Sequence, residues 1–564
     1  MKSIAKKTSA AVLAAITAAG CITAYAEAGK VRGDISGDGT VNITDVSKLA
    51  AHIKSVKPLS AEELEAADIN RDGEINVTDV STLAAFVKGK RVMPGDEKYT
   101  MLPIKEEQVI NETPATFESL SVDRDAKKSF EDEIASETDL PIINITTKEN
   151  KEKILSREIY NSCVVDVFNC GDDFVMDEVS AGVRVRGNSS AYYGDENQIK
   201  RNPVPYRIKF DKKQNMLGLN DGAKCKSWVL LKSDWDLIRN DIALRFGRTI
   251  LGDDAYCSDT QFVHLYVNDK FQGIYVLCEQ NQVNKNRVDI TEPEKGYTGT
   301  DFGFYMEMDN YARDEEDNHY ITMDYCEATV TDIRGEKRQF VPADYSIKND
   351  VYTQQQINFI DKYMNNVFKI IYEACEKGEY YTFDEDYDLI EAPYDNAEDT
   401  VKAVVDVQSV VDMYLLYEIV HDYDCGEGSF YMCIDFAKDS KVPKLQFTSP
   451  WDFNWAYNDS TSRYWAGAFC EKSFARKNGD RSNPWFILLA KQDWFMGMAK
   501  DKWTSLQADN SVWGCVDEER GILTTYADDL NKKDDWATGS AEQLLDWITN
   551  RLKWMDKTYK NEEQ

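Results

Sequence analysis

Apolar and polar positions change their spacing several times along the chain, and each change marks a boundary. Ala10 to Ile22 is a nearly unbroken apolar run, with Lys2, Lys6 and Lys7 ahead of it and Ala24-Tyr25-Ala26 behind it. The run is too short to span a bilayer. A basic start, an apolar middle and a small-residue cleavage site predict a secretory leader over residues 1–26, cut before Glu27. Ala18-Ala19-Gly20-Cys21 offers lipidation as the alternative, without the usual Leu three residues before the cysteine. No other stretch is apolar enough to be transmembrane. Residues 31–92 hold one pattern twice: an acidic loop, then a helix-spaced apolar segment, Val46 to Ile53 and Val80 to Val87. Residues 93–139 are polar and acidic with scattered apolar positions, and Pro103 and Pro114 punctuate them as in a linker.

From Leu140 the spacing becomes that of strands. Pro141 to Ile145, Ile159 to Val167, Val183 to Arg186, Tyr206 to Phe210 and Trp228 to Lys232 are short apolar or alternating runs. Asp236 to Gly247 has helical spacing. Phe262 to Val267 and Gln272 to Leu277, joined by Asn268-Asp269-Lys270, predict a β-hairpin, and Gly303 to Met308 a further strand. Residues 354–376 and 402–420 read as helices, the acidic run Glu376 to Thr400 as loop, and residues 485–560 as mostly helical and Trp-rich. Strands come first and helices follow, which is the order of an α+β fold.

Two acidic turns stand out at the ends of apolar elements. Val410 to Val420 is apolar enough to be a buried helix, and it stops at His421-Asp422-Tyr423-Asp424. Lys444 to Phe447 reads as a short strand, with Trp451-Asp452-Phe453 just beyond it. Two carboxylates at the ends of packed elements, facing one cleft, suit a Mg²⁺-nucleotide site. Solvated loop acids are the alternative.

Composition narrows the partners. The 564 residues carry a formal net charge of −33, which argues against nucleic acid and against an anionic membrane surface. Hydrophobic residues make up 42% and aromatics 12%, enough for a large core or for surfaces that handle glycans and peptides. The length implies more than one domain. Of twelve Cys, Cys21 lies in the leader, and the other eleven run from Cys163 to Cys515 with no C-x-x-C pair. That odd, scattered set predicts mostly free, buried thiols and a reducing exterior. Four His make a His-based metal or hydrolase site a poor expectation.

The duplicated loops carry the clearest chemistry. The first places Asp34, Ser36, Asp38, Asn42 and Asp45 at positions 1, 3, 5, 9 and 12, with Gly39 at 6 and the Thr40 carbonyl at 7. The second repeats this with Asp68, Asn70, Asp72, Asn76 and Asp79, Gly73, and the Glu74 carbonyl. Hard oxygen donors around a tight turn that glycine permits are Ca²⁺ geometry, and two in-phase copies predict two Ca²⁺ ions. Position 12 is Asp, where an EF-hand has Glu, and a single helix follows each loop. The duplicated loop-helix with Asn-x-x-Asp at 9 to 12 resembles a type I dockerin. That resemblance implies a small all-α module that docks to the cohesin of a scaffoldin, as in a cellulosome. It also implies that the pairs at positions 10 and 11, Ile43-Thr44 and Val77-Thr78, face the cohesin.

A second resemblance rests on the order of several motifs: Arg186-Gly187-Asn188-Ser189-Ser190, Pro205 to Phe210, Leu237 to Ala243, Leu265 to Gln280, Arg287-Val288, and Trp451 to Trp455. In this order they are similar to the spore-coat CotH family of atypical secreted kinases, over roughly residues 140–480. The resemblance implies a two-lobed kinase-like domain over residues 140–564 using ATP and Mg²⁺. Asp452, an Asp-Phe after a strand, corresponds to the metal-binding Asp, and Asp424 to the catalytic-loop Asp. A strand lysine holds phosphate, Lys209 first and Lys200 second. Arg239, Asn240 and Glu279 are nucleotide-side candidates, Glu279 as partner of the lysine or as a metal ligand. Ser429 stands where a kinase has the Asn that helps bind a second metal.

These readings leave three functions open. The first is a dockerin-bearing enzyme that transfers phosphate to protein. The second is a non-catalytic subunit that contacts glycan or protein. The third is a glycoside hydrolase, which requires two carboxylates across a sugar cleft and has no motif in its favour.

Overall fold

In the computed structural model the described residues are 32–38, 40–64, 66–69, 75–87, 102, 117, 120, 124–232, 238–313, 319–332, 335–457, 465–470, 474–476, 479–481, 483–531 and 537–559. The expected leader, Gly39, Gly73 and the loop ligands Asn70, Asp72 and Glu74 lie outside them. The chain forms two compact units, Met1–Tyr99 and Thr100–Gln564.

In the first unit, helices α1 (Ile43–Ile53) and α2 (Val77–Val87) each follow an acidic loop. Asn42 caps α1: its side chain accepts the Thr44 N–H, and Asp45 accepts the Asn42 N–H at 2.8 Å. Asn-x-x-Asp is therefore also a capping box. Ile35, Val46, Leu49, Leu59, Ala66, Ala67, Ile69 and Leu83 form the core. One helix was not foreseen. Ala61–Leu64 is started by the reciprocal pair Ser60 and Glu63, whose side chains each bond the other's N–H.

The second unit begins with a helix, α3 (Arg124–Ala135), inside the stretch that reads as linker. Lys127 of α3 pairs with the buried Asp166 at 2.8 Å, and Phe130 packs edge-on to Tyr266. Seven strands then close a barrel: β1 (Ile142–Thr147), β2 (Asn161–Phe168), β3 (Met176–Val185), β4 (Tyr206–Gln214), β5 (Cys225–Lys232), β6 (Thr260–Val267) and β7 (Lys270–Glu279), in the order β1-β2-β3-β4-β5-β7-β6. All neighbours are antiparallel except β1 and β6, whose parallel pairing closes the ring with Ile145 beside Val267. Period-2 alternation fills the interior with Val183, Val185, Ile208, Phe210, Trp228, Leu230, Tyr275 and Leu277. Strands β5 and β7 bury their other face too, Val229, Leu231, Val276 and Cys278 against α4 (Arg239–Leu251), which explains their unbroken apolar runs.

The chain then builds an antiparallel sheet from β8 (Gly303–Asp309), β9 (Tyr320–Met323), β10 (Ala343–Ile347), β11 (Gly428–Asp435) and β12 (Gln446–Thr448), in the order β12-β11-β8-β10-β9. Helices α5 (Gln354–Tyr372), α6 (Ala397–Val404) and α7 (Val407–Val420) pack with it. The C-terminal set is α8 (Pro484–Leu489), α9 (Asp493–Ala508), α10 (Ser511–Thr525) and α11 (Ala537–Tyr559). The stretch 376–400 is not all loop. Tyr381–Phe383 and Leu389–Glu391 pair as a hairpin, because Phe383 stacks on Tyr363 at 5.1 Å and Tyr387 packs beside it. The fold thus mixes helix and strand as the spacing predicts. Among the described residues no helix is long and apolar enough to cross a membrane.

Every residue of α7 except Gln408 is buried, so its two acids must be matched. Asp412 meets Lys502 at 3.2 Å. Glu418 meets Arg551 of α11 at 2.6 Å, and its other oxygen accepts the Phe469 and Cys470 N–H groups. All eleven cysteines from Cys163 to Cys515 are free thiols, seven buried and four partly so.

Candidate functional site

The two acidic turns meet because of strand pairing. Strands β11 and β12 are antiparallel, with Tyr431 opposite Thr448. The residues entering β11 and those leaving β12 therefore emerge at one end of the sheet. Asp422 and Asp424 belong to the first group and Asp452 to the second.

Each turn is held in a backbone shape that side chains resist. His421 ends α7 in the left-handed region at φ 51°, and Asp452 sits there at φ 59°, as do Ser429, Ser449 and Tyr457. So many non-glycine residues with positive φ at one place are stored strain, and strain of this kind gathers at functional sites. The bonds that hold it are specific. Asn240 accepts the Phe453 N–H at 3.0 Å and donates to Asn454 Oδ1 at 3.0 Å. Asn454 in turn donates to Asp452 Oδ1 at 2.7 Å. Arg239, fully buried, donates to the carbonyls of Asn454 and Ala456. The Tyr457 N–H reaches back to the Val420 carbonyl at the end of α7 at 2.8 Å, so the two turns are tied together.

The electrostatics are those of acids brought close together and taken partly out of water. Asp422 is 1% exposed, and its side chain accepts the Asp424 N–H at 3.1 Å. Burial pushes its carboxyl well above the carboxylate range, the charges of Asp424 and Asp452 push it further, and Arg239 opposes them. Asp452 is also raised, by burial, with the Arg186 charge pulling the other way. Glu427 is buried beside them. Across the sheet, burial raises Glu307 of β8 against the pull of Lys348. The donor set fits Mg²⁺: hard oxygens, partly desolvated, whose mutual repulsion a divalent cation relieves. Among the described residues no three such ligands already surround one point. Mg²⁺ commonly takes one or two protein carboxylates and fills its octahedron with phosphate oxygens and water.

The other candidates scatter. Arg239 and Asn240 lie at this site, as the clamps of the Asp452 turn. Lys209 sits on β4 opposite Gly182 and Ser227, on the outer face of the barrel. Lys200 is exposed and pairs with Glu196 at 3.3 Å. Glu279 ends β7 fully buried, and its cation is Arg287, at 3.1 Å, not Lys209. Arg287 also lies over the Trp228 ring and donates to the Ser227 carbonyl, so this pair plugs one end of the barrel. Two residues of the site were not singled out from the sequence. Asp422 is two residues before Asp424, and Arg186 opens the Arg-Gly-Asn-Ser-Ser motif.

In the first unit the loop donors face their own backbone. Asp34 accepts the Gly37 and Asp38 N–H groups, and Asp38 accepts the Thr40 N–H and hydroxyl. Both closing acids are buried. Asp45 accepts from Ser36 and Asn42, and Asp79 from Ile69 and Asn76. Side-chain and backbone bonds from Thr40 hold the exposed Asp38 carboxyl below its usual value. Ile43 and Val77 are 63% and 70% exposed, one on each repeat.

Comparison with family models matches residues 183–555 to the CotH kinase protein family and residues 32–88 to the type I dockerin domain. Type I dockerin domains bind calcium, and the match indicates a cohesin partner in a cellulosome-type complex. No curated protein matches the chain.

Proposed function

The chain belongs to the CotH kinase protein family and carries a type I dockerin, and from this premise we propose a secreted, cohesin-docked subunit that transfers phosphate from ATP to protein. The barrel and the β8–β12 sheet with its helices would be the two lobes, with the acidic turns at their junction. The observation that carries the reading is the convergence of Asp422, Asp424 and Asp452 on one end of the sheet, held by the Arg239–Asn240 clamp. Asp452 holds the metal, and Mg²⁺ when bound neutralises phosphate oxygens. Asp424 orients the acceptor hydroxyl and takes its proton. Asp422, buried behind both, keeps the turn and answers to the charge in front of it. Arg239 and Asn240 act through the turn, not on the nucleotide.

The dockerin half of the proposal is that Asp34, Ser36, Asp38, Thr40, Asn42 and Asp45, and their second-loop counterparts Asp68, Asn70, Asp72, Glu74, Asn76 and Asp79, hold two Ca²⁺ ions. The exposed Ile43 and Val77 then meet the cohesin.

Calorimetry of the full chain with ATP, with and without Mg²⁺, tests the catalytic half. Mg²⁺-dependent binding is the expected result. No binding at millimolar ATP turns the reading into its alternative, a docked subunit that contacts glycan or protein. Ser429 in place of the second-metal Asn, and Trp455, 52% exposed just past Asp452, favour that alternative.

A further inference from the structure

We infer that Arg186, not a strand lysine, is the cation that meets the terminal phosphates at this site. The inference rests on the nucleotide reading above. Arg186 follows the last residue of β3, and its N–H bonds the Pro205 carbonyl at 3.0 Å, so it stands at the open end of the barrel strands. Its guanidinium lies over the Trp451 ring, 5.4 Å from the centroid. Trp451 is buried and directly precedes Asp452. Through that ring the guanidinium stands next to the Asp452 turn.

What the guanidinium lacks is informative. Among the described residues no carboxylate lies within 4 Å of it and no acceptor takes its side-chain N–H donors, although it is half-buried over the residue that precedes Asp452. Stacking on Trp451 holds it beside Asp452 without an ion pair. A half-buried guanidinium with unspent donors is matched to an anion with several acceptor oxygens, and its planar fork suits phosphate. Arg239, the other cation at the site, has already spent donors on the Asn454 and Ala456 carbonyls. Lys209 stands elsewhere. It is four residues along β4 from Pro205, about 13 Å at the rise of a strand. There it faces Gly182, whose surface the Phe117 ring covers.

The test is calorimetry of the full chain with Mg²⁺-ATP, Mg²⁺-ADP and adenosine, for wild type, Arg186→Gln, Arg186→Lys and Lys209→Met. Losing a charge-assisted bond to phosphate should weaken ATP binding about ten-fold or more in Arg186→Gln. The loss should shrink for ADP and vanish for adenosine. Arg186→Lys should recover part of it, and Lys209→Met should stay within about two-fold of wild type. A merely structural role for Arg186 moves all three ligands alike. ATP binding by Arg186→Gln equal to wild type, or the larger loss falling on Lys209→Met, overturns the inference and leaves the nucleotide reading standing. Wild type that binds no ATP removes the reading itself, and the inference with it.

Discussion

The two units present the same residue type in opposite states. In the first loop Asp34 and Asp38 accept N–H groups of their own turn, Asp45 is buried, and the exposed Asp38 is held below the usual carboxylate range by the bonds from Thr40. The turns of the second unit bury Asp422 and leave Asp424 and Asp452 half-buried, and Asp422 is driven well above that range. Solvent and local N–H donors stabilise a carboxylate, whereas burial beside like charge does the reverse. Asp38 is thus held as a carboxylate, ready for a hard cation. The turns need a cation or a proton to settle. A count of acids in a chain of net charge −33 does not separate these two states. The backbone around each acid does.

Removing the cation from the first unit is the sharpest way to break the contrast. Without Ca²⁺ the loop acids repel one another. EDTA should strip helicity from residues 31–92 and abolish cohesin binding, while residues 100–564 keep their fold by circular dichroism. Asp34→Ala with Asp68→Ala should do the same with Ca²⁺ present. Cohesin binding undiminished in EDTA would refute the dockerin ligand assignment.

In the second unit the corresponding change is Asp452→Ala. It should remove Mg²⁺-dependent nucleotide binding with the fold intact, because the Asn240 bonds to Phe453 and Asn454 hold the turn without it. Asp424→Asn should spare binding and lower turnover by about 10²- to 10⁴-fold, the usual worth of a positioned acid or base. Equal losses of binding and turnover in Asp424→Asn would place it on the metal and not on the acceptor.

The foundation of the acidic turns gives the next effect. Arg551 meets Glu418 with both side chains fully buried, and also holds the carbonyls of Glu418, Trp465 and Gly467. Arg551→Met leaves a buried carboxylate with two N–H donors and no cation. It should destabilise the second unit by about 3–5 kcal/mol, read as a drop in denaturation midpoint. The melt of the first unit should not move.

Much of this was legible in the chain and some was not, for physical reasons. Strands β1 to β8 could be read because short alternating or unbroken apolar runs are local, and α7 because a mostly apolar run of helical length is buried wherever it sits. The loop donors could be read because a metal site within twelve residues is a local object. The meeting of Asp424 and Asp452 depends on the register of β11 against β12, which sequence spacing does not carry. The pairing of Glu279 with Arg287 spans eight residues and was within reach, but a motif order that pointed to a strand lysine drew Glu279 toward Lys209. Likeness of motifs assigns residue types to a site without saying which face of a strand they take. Lys209 is on the outer face, and Arg186, at a strand end, is where the acids are. The hairpin within residues 376–400 was hidden by its acids, though Tyr381, Phe383 and Tyr387 were the residues that decided it.

The smallest effect tests the contrast most directly, through Asp422. Asp422 is 1% exposed, and the groups that face it are Asp424 and Asp452, which raise its carboxyl, and Arg239, which lowers it. A carboxyl with a folded pKa above its unfolded value of about 3.9 penalises the folded state once it must ionise. Its stabilising contribution is therefore complete below about pH 4 and is lost as pH rises through the folded pKa. Asn titrates in neither state, and it keeps the oxygen that accepts the Asp424 N–H. Asp422→Asn should then melt above wild type at pH 7 to 8, by about 1–3 kcal/mol, the cost of a buried polar group left short of partners. The difference should close as pH falls toward 4. Mg²⁺ should raise wild type more than the variant at pH 7.5, because part of what it relieves is the Asp422 charge. A variant that melts below wild type at every pH would show instead that the carboxylate is ionised and matched in the fold. The turns and the loops would then hold their acids in the same way.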